Sequence, residues 1–315
     1  TVGRPLPCVN LEIVDAADQP LPKGEVGHVR LKSSGMAEGY VRNEDASHHA
    51  FRNGWYYTRD MARMDADGHV VMMANSLMSD CSMWDWNVPA LADRYRVLRF
   101  DKRGHGDSQT TPAPYNIPQL ADDAVALLDA LKINKVHFIG LSMGGMIGQQ
   151  LGARFPERVY SLSLCDTASE MPPRSLWEER FAIARKEGIP GLVDGTIQRW
   201  FTAPFIARAP QDIAKVREMI LGTGVEGYLG CASAVRDMAQ TTMLLKIKAP
   251  TLILTGRQDP ACTVDQAIVL NRMIDGSKLV ILEDAAHLSN IEQPELFNRT
   301  VRDFIDTVDS ALAVK

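Results

Sequence analysis

The stretch that decides the fold is KVHFIGLSMGGMIGQQLGARF, residues 135–155. It opens on a strand-like run, KVHFI, crosses Gly140-Leu141-Ser142-Met143-Gly144, and continues as a helix-like run. A G-x-S-x-G pentapeptide between a strand and a helix has the form of a nucleophile elbow. The serine rides a sharp, strained turn, and a side chain two residues to either side would collide with neighbouring backbone. Glycine therefore stands at both places, and the turn lifts the Ser142 hydroxyl to the positive end of a helix. The competing reading is a Gly/Ser turn that merely lets helix and sheet pack closely. The surrounding sequence decides between the two.

Outward from this stretch, apolar runs recur: VVMMA (70–74), YRVLRFD (95–101), VYSLSLCD (159–166), PTLILTG (250–256) and KLVILED (278–284). Between them lie helical patterns. IPQLADDAVALLDALKI (117–133) places Leu120, Val125, Leu127, Leu128 and Leu131 at near-helical spacing, and PELFNRTVRDFIDTV places Leu296, Val301, Phe304, Ile305 and Val308 on one side. Near-continuous apolar strands alternating with amphipathic helices predict an α/β fold, with a mostly parallel sheet covered on both faces. From about 167 to 247 no strand is evident, and the helical sequence there reads as a cap inserted over a site. Residues 1 to about 69 differ. NLEIVD, DQPLPKG and EVGHVRLK read as strand, turn, strand; SSGMAEGY and FRNGWYY continue the pattern, and turn chemistry at residues 65–68 closes it. The chain thus divides into a β-rich segment, 1–69, and an α/β domain, 70–315.

A serine hydroxyl needs a base. Of the seven histidines, His287 in EDAAHLSNIEQP lies just past the last predicted strand, at the sheet edge that carries Ser142. His105, in the Gly-rich loop DKRGHGDS, is the second candidate and reads better as a loop organiser. The adjacent His48 and His49 lack metal-ligand spacing, and His137 falls within a strand. The base in turn needs an acid to fix its tautomer. Asp259 follows the strand PTLIL by a short loop; Asp166 and Asp265 are its rivals. The order Ser142, Asp259, His287 is that of α/β-hydrolases. An oxyanion would take backbone N–H groups from Met143 and from Leu77, in the loop after the first core strand.

Hydrophobic residues make up 45% of the 315 and charged ones 23%, enough apolar content for a substantial core. The net charge of −5, with no basic block, argues against nucleic acid or an anionic membrane as partner. The five cysteines (8, 81, 165, 231 and 262) are scattered without CxxC or Cys/His spacing, so reduced, mostly buried thiols in a cytoplasmic protein are expected. Neither metal nor cofactor is implied, and no run approaches the roughly 18 apolar residues of a membrane span. No basic-plus-apolar leader opens the chain, which starts at Thr1 rather than Met and so leaves room for an upstream start.

From about Val70 onward the chain resembles α/β-hydrolases, specifically 3-oxoadipate enol-lactonases. The resemblance rests on ANSLMSDCSMWDWNVPAL, YRVLRFDKRGHGDS, HFIGLSMGGMIGQQLG, VEGYLGCASAVRDM and DAAHLSNIEQPELFN. Asn75-Ser76-Leu77, in place of the His-Gly more usual in this fold, is a lactonase-like trait. Met78 is a departure, since glycine is expected there, and it implies a tighter loop or a smaller pocket. The resemblance implies hydrolysis of a small, carboxylate-bearing enol lactone through an acyl-serine. Trp177 and Trp200 are candidate pocket residues, and Arg199, Arg208, Arg217 and Arg236 candidate partners for the carboxylate, with Arg236 put forward together with the tryptophans. A broad carboxylesterase or another lactonase is the alternative.

Residues 1–69 resemble a different class, the β-barrel portion of adenylate-forming acyl-CoA synthetases. GRPLPCVNLEIVDAADQPLPKGEVGHVRLKSSGMAEGY and FRNGWYYTRDMARMDADGHV carry this likeness. The Thr-Gly-Asp nucleotide motif of that class reads Thr58-Arg59-Asp60 here, and its phosphate loop, adenine motif and C-terminal lysine domain have no counterpart. A nucleotide-binding fusion would betray itself by ATP–pyrophosphate exchange, which is expected to be absent. A non-catalytic scaffold of hydrolase shape is disfavoured by the complete Ser142/Asp259/His287 set. The hairpin of NLEIVD and EVGHVRLK is expected to replace the edge strands that open other hydrolases, or to form a small β module.

Overall fold

The computed structural model describes residues 9–21, 25–33, 47–48, 50–63, 68–171 and 173–313. The chain divides into two compact units, residues 1–68 with 92–96 and residues 69–91 with 97–315.

The first unit is built on strands β1 (Val9–Val14), β2 (Val26–Ser33), β3 (Phe51–Arg52) and β4 (Trp55–Arg63), in the order β1-β2-β4-β3. Every pairing is antiparallel. Asn53 and Gly54 both take positive φ, 53° and 77°, the two-residue turn that lets β3 and β4 cross over without splaying. The expected hairpin of NLEIVD and EVGHVRLK is present as β1 and β2, with Val14 opposite His28. It belongs to this four-stranded sheet. Residues 65–67 of the expected turn, most of SSGMAEGY, His49 and Cys8 lie outside the described residues.

The second unit carries a six-stranded sheet of β5 (Val70–Ala74), β6 (Arg96–Phe100), β7 (Val136–Leu141), β8 (Val159–Cys165), β9 (Thr251–Gly256) and β10 (Lys278–Leu282). Their order is β10-β9-β8-β7-β5-β6, with β10/β9, β9/β8, β8/β7 and β7/β5 parallel. β5, β7 and β9 are buried at every position, which explains why their sequences show no polar alternation. Helices α1 (Ile117–Ala130) and α2 (Met143–Arg154) follow β6 and β7. The insertion between β8 and β9 forms the helical cap: α3 (Arg174–Glu187), α4 (Pro190–Trp200), α5 (Ala203–Arg208), α6 (Pro210–Leu221) and α7 (Val225–Arg236). Helices α8 (Val264–Met273), α9 (Ser289–Glu292) and α10 (Pro294–Ala313) complete the unit.

The face of α1 differs from the one its leucines suggest. It buries Ile117, Leu120, Ala121, Ala124 and Leu128 and packs on α2, while Leu131 lies past its end and is 48% exposed. Two of the five buried residues are alanines. Along α10, Phe297 rather than Leu296 joins Val301, Phe304, Ile305 and Val308 in the core. Cys165, Cys231 and Cys262 are buried free thiols and Cys81 is half-buried. Among the described residues no helix is long and apolar enough to cross a membrane.

Candidate active site

Parallel strands bring their C-terminal ends to one edge of the sheet, so the loops after β5, β7, β8, β9 and β10 share that edge. Ser142 follows β7 directly and caps α2 with φ 57° and ψ −117°. That left-handed backbone is strained for a serine. It is held by Ser142 N–H donating to the Cys165 carbonyl (2.8 Å), and by the Thr167 hydroxyl and Met146 N–H donating to the Ser142 carbonyl (2.7 and 3.0 Å). The two glycines of the elbow are obligatory. A Cβ on Gly140 would stand 2.2 Å from the Gly144 carbonyl oxygen, and one on Gly144 would stand 1.9 Å from that of Ala74.

His287 lies in the loop after β10, and its Nδ1 is 2.8 Å from Asp259 Oδ2. A carboxylate only accepts, so Nδ1 carries the proton and Nε2 keeps its lone pair. The other carboxylate oxygen of Asp259 accepts from Ala261 N–H (2.8 Å) and Cys262 N–H (3.0 Å), which fixes the carboxylate plane. Ser142 and His287 line one cavity together with Ser76, Leu77 and Met78. The rival acids do not bond His287. Asp166 accepts from Gly256 N–H (2.8 Å) and the Ser289 hydroxyl (2.5 Å). Burial, with the Asp259 carboxylate nearby, pushes its pKa well above the usual carboxyl range. Asp265 sits exposed in the first turn of α8.

The loop after β5 is wired from below. Lys102 Nζ donates to the carbonyls of Ser76 (2.5 Å) and Ser79 (3.1 Å), the Ser79 hydroxyl donates to the Ser76 carbonyl (2.8 Å), and Asn75 Nδ2 to the Ser79 carbonyl (2.5 Å). Met78 N–H donates to His105 Nε2 at 3.0 Å. Because His105 accepts there, its proton sits on Nδ1. Burial, then the Lys102 charge, holds it neutral, well below the usual imidazole pKa. His105 thus organises the loop and takes up the Met78 amide, leaving Leu77 as the neighbouring amide of the cavity wall. Met143 opens α2, and amides in a helix's first turn have no intrahelical acceptor. Met78 holds φ 61°, a backbone that favours glycine, and its buried side chain lines the cavity, which narrows the pocket.

Trp177 and Trp200 both line the cavity, and the Trp200 ring lies 6.5 Å from that of His287. Arg199 lines it as well. Arg236 does not: it is held by Glu178 and Asp237 and lies over the Phe181 ring. Arg217 pairs with Asp194, and Arg208 lies over the Phe205 ring. The guanidinium that attention to individual arginines passes over is Arg180, which lines the cavity with its charge over Trp177 at 5.0 Å. The signal available was Trp177-x-x-Arg180, an i,i+3 pair on one face of a cap helix. Arg199 donates to the Thr196 hydroxyl (3.1 Å), and its pKa is lowered to about 10 by burial and then by the Arg180 charge. Among the described residues no carboxylate pairs with either arginine. Tyr228 lines the same cavity, its phenol pushed up to about 12 by burial although both arginines oppose the shift.

A serine on a strand–helix elbow, a carboxylate-oriented histidine and a roofed cavity define a hydrolase fold of the α/β type. The chain belongs to the α/β-hydrolase family, whose model, described as alpha/beta hydrolase fold, matches residues 70–294. It is 37% identical over 236 residues to 3-oxoadipate enol-lactonase 2 of Acinetobacter baylyi, covering 75% of this chain and 88% of that one. The crystal structure of the enol-lactonase from Burkholderia xenovorans LB400 superposes with a TM-score of 0.75 at 39% identity, over 76% of this chain and 92% of that one. That of a hydrolase from Pseudomonas aeruginosa PA01 has a TM-score of 0.74 at 31% identity, over 94% of this chain and 98% of that one. The protein is accordingly a hydrolase of ester or lactone bonds.

Proposed function

We propose that this chain hydrolyses a small lactone bearing a carboxylate, an enol lactone of the 3-oxoadipate kind, through an acyl-Ser142 intermediate. The observation that carries this reading is the cavity itself, in which Ser142 and His287 face two guanidinium groups, Arg180 and Arg199, that have no acidic partner among the described residues. Both guanidiniums are half-buried and turned into the cavity wall, where a substrate carboxylate would give them the charge partner that bulk water gives only weakly.

His287 Nε2 takes the Ser142 proton as the hydroxyl oxygen attacks the ring carbonyl, while Asp259 stabilises the imidazolium. The Leu77 and Met143 amides hold the oxyanion, an interaction worth about 3 kcal/mol per donor. As the tetrahedral intermediate collapses, the ring C–O bond breaks and the enol oxygen takes the proton from His287. The enol stays tethered to the acyl chain and ketonises, which removes the nucleophile that could close the ring again. Water deprotonated by His287 then attacks the acyl carbonyl and frees Ser142. The test is a panel of lactones and short esters, each as the free acid and as its methyl ester. Wild type is expected to favour the acid enol lactone by 10-fold or more in kcat/KM, an order of magnitude for one charge-assisted contact. Arg199→Gln should erase that preference by raising KM, and Ser142→Ala should abolish turnover. Equal rates for acid and ester would contradict the reading.

For residues 1–69 we propose a β module of the kind found in adenylate-forming enzymes, without nucleotide chemistry. Its antiparallel hairpins and the sequence resemblance support this, and ATP–pyrophosphate exchange is expected to be undetectable.

A further inference from the structure

At the opposite end of the sheet from Ser142, three side chains from distant parts of the chain converge. His69 precedes β5, His137 is the second residue of β7, and Asp309 projects from α10. Asp309 Oδ1 lies 2.6 Å from His69 Nδ1 and 2.9 Å from His137 Nε2, and the three ligand atoms all fall within 4.8 Å of one another. Five residues of extended chain, about 16 Å, separate His137 from Ser142, so this cluster is no part of the cavity described above.

We propose that His69, His137 and Asp309 form a binding site for a borderline divalent transition metal, Zn2+ or Co2+, which ties the last helix to the start of the sheet. Two imidazoles and one carboxylate are a donor set that suits such ions, whereas Mg2+ and Ca2+ require more oxygen ligands. The supporting contacts are already in place. His137 Nδ1 lies 2.8 Å from the Ser161 hydroxyl, which can accept the Nδ1 proton while Nε2 gives its lone pair to a metal. Tyr160 stacks on His69 at 4.3 Å and lies 5.3 Å from the His137 ring, so both rings are oriented by packing before any ion arrives. Burial is asymmetric: the His137 side chain is fully enclosed, while that of His69 is 41% exposed. The exposed side supplies a route of entry and room for water as a fourth ligand. Metal binding replaces the two imidazole protons now shared with Asp309 Oδ1, releasing protons if the imidazoles are charged and otherwise only turning each tautomer. No spacing rule finds this site, because its members lie 240 and 172 residues apart.

The experiment uses metal-free full-length protein titrated with Co2+, read by visible absorption, and with Zn2+, read by Tm. Asp259, Cys262 and His287 also gather possible ligand atoms, so His287→Ala serves as the control that removes that group. Wild type and His287→Ala are each expected to bind one Co2+ per chain with ligand-field bands of four- or five-coordinate geometry. Both should gain on the order of 5 °C in Tm at saturating Zn2+. His69→Ala, at a partly exposed position that the fold tolerates, and Asp309→Asn should lose the bands and the shift. Absence of binding in wild type, or binding that survives His69→Ala, would overturn the proposal.

Discussion

Lys102 is fully buried and has no carboxylate in hydrogen-bond reach among the described residues; only the Ser76 and Ser79 carbonyls receive its protons. Burial lowers its pKa from 10.5 to about 8. In the unfolded chain the ammonium keeps its proton up to pH 10.5, so between pH 8 and 10.5 the unfolded state binds more protons and stability rises with pH. Below pH 8 the cost of burying the charge is fully present, about 3 kcal/mol at 1.36 kcal/mol per unit. Replacing Lys102 by Met should therefore yield a variant whose urea stability lacks this rise. Wild type should gain roughly 3 kcal/mol on the variant from pH 7.5 to 10.5. A constant difference across that range would show that the lysine is not held as described. The same substitution should cut kcat while leaving KM near its wild-type value, because the residue positions the loop carrying Leu77 and touches no substrate. Ser142, Asp259 and His287 were legible one at a time, each from its place after a predicted strand. Lys102 and Arg180 were not: one owes its importance to two carbonyls across a loop, the other to a missing partner, and neither leaves a pattern in sequence.

The strand–turn–helix element was the most legible part of the molecule. Its two glycines serve two close approaches, Gly140 to the first turn of α2 at the Gly144 carbonyl and Gly144 to the end of β5 at Ala74. Gly144→Ala tests the second. Its Cβ would meet a main-chain oxygen at 1.9 Å, and the atom it displaces begins the loop that holds Leu77. A shift of about 1 Å there should cost on the order of 100-fold in kcat/KM, together with a fall in Tm. A variant with near-wild-type activity would mean that the elbow and the loop are not packed this way. The amphipathic helices were legible in type and less so in face. In α1 the spacing of leucines pointed to Leu131, whereas the buried face includes Ala121 and Ala124, residues that a search for large apolar side chains ignores. In α10 the neighbouring Leu296 and Phe297 are equally apolar, and only tertiary packing, with the Trp84 ring 6.3 Å from that of Phe297, decides that Phe297 turns inward.

The order of the whole chain, parallel strands with helices between them and one long helical insertion, could be read from sequence because each core strand is buried throughout and so is apolar throughout. The partnership of the front segment could not, since hairpin signals say which strands pair locally and nothing about where the pair is placed. Residues 92–96 group with residues 1–68 as one compact unit, although the chain around them belongs to the hydrolase domain. Deleting residues 1–60 removes most of the unit to which residues 92–96 belong. The truncated protein should be insoluble, or should melt well below the full chain, by light scattering and calorimetry. A soluble, fully active truncation would separate the two units functionally.

The most direct measurement is mass spectrometry of protein acid-quenched during turnover of the carboxylate-bearing enol lactone. When a lactone opens on Ser142 its leaving oxygen stays attached to the acyl chain, so the adduct must weigh as much as the whole substrate. An ester would leave only its acyl part. The predicted result is a whole-lactone adduct on the peptide bearing Ser142, absent from Ser142→Ala. Turnover with no such adduct and with undiminished rate in Ser142→Ala would contradict it.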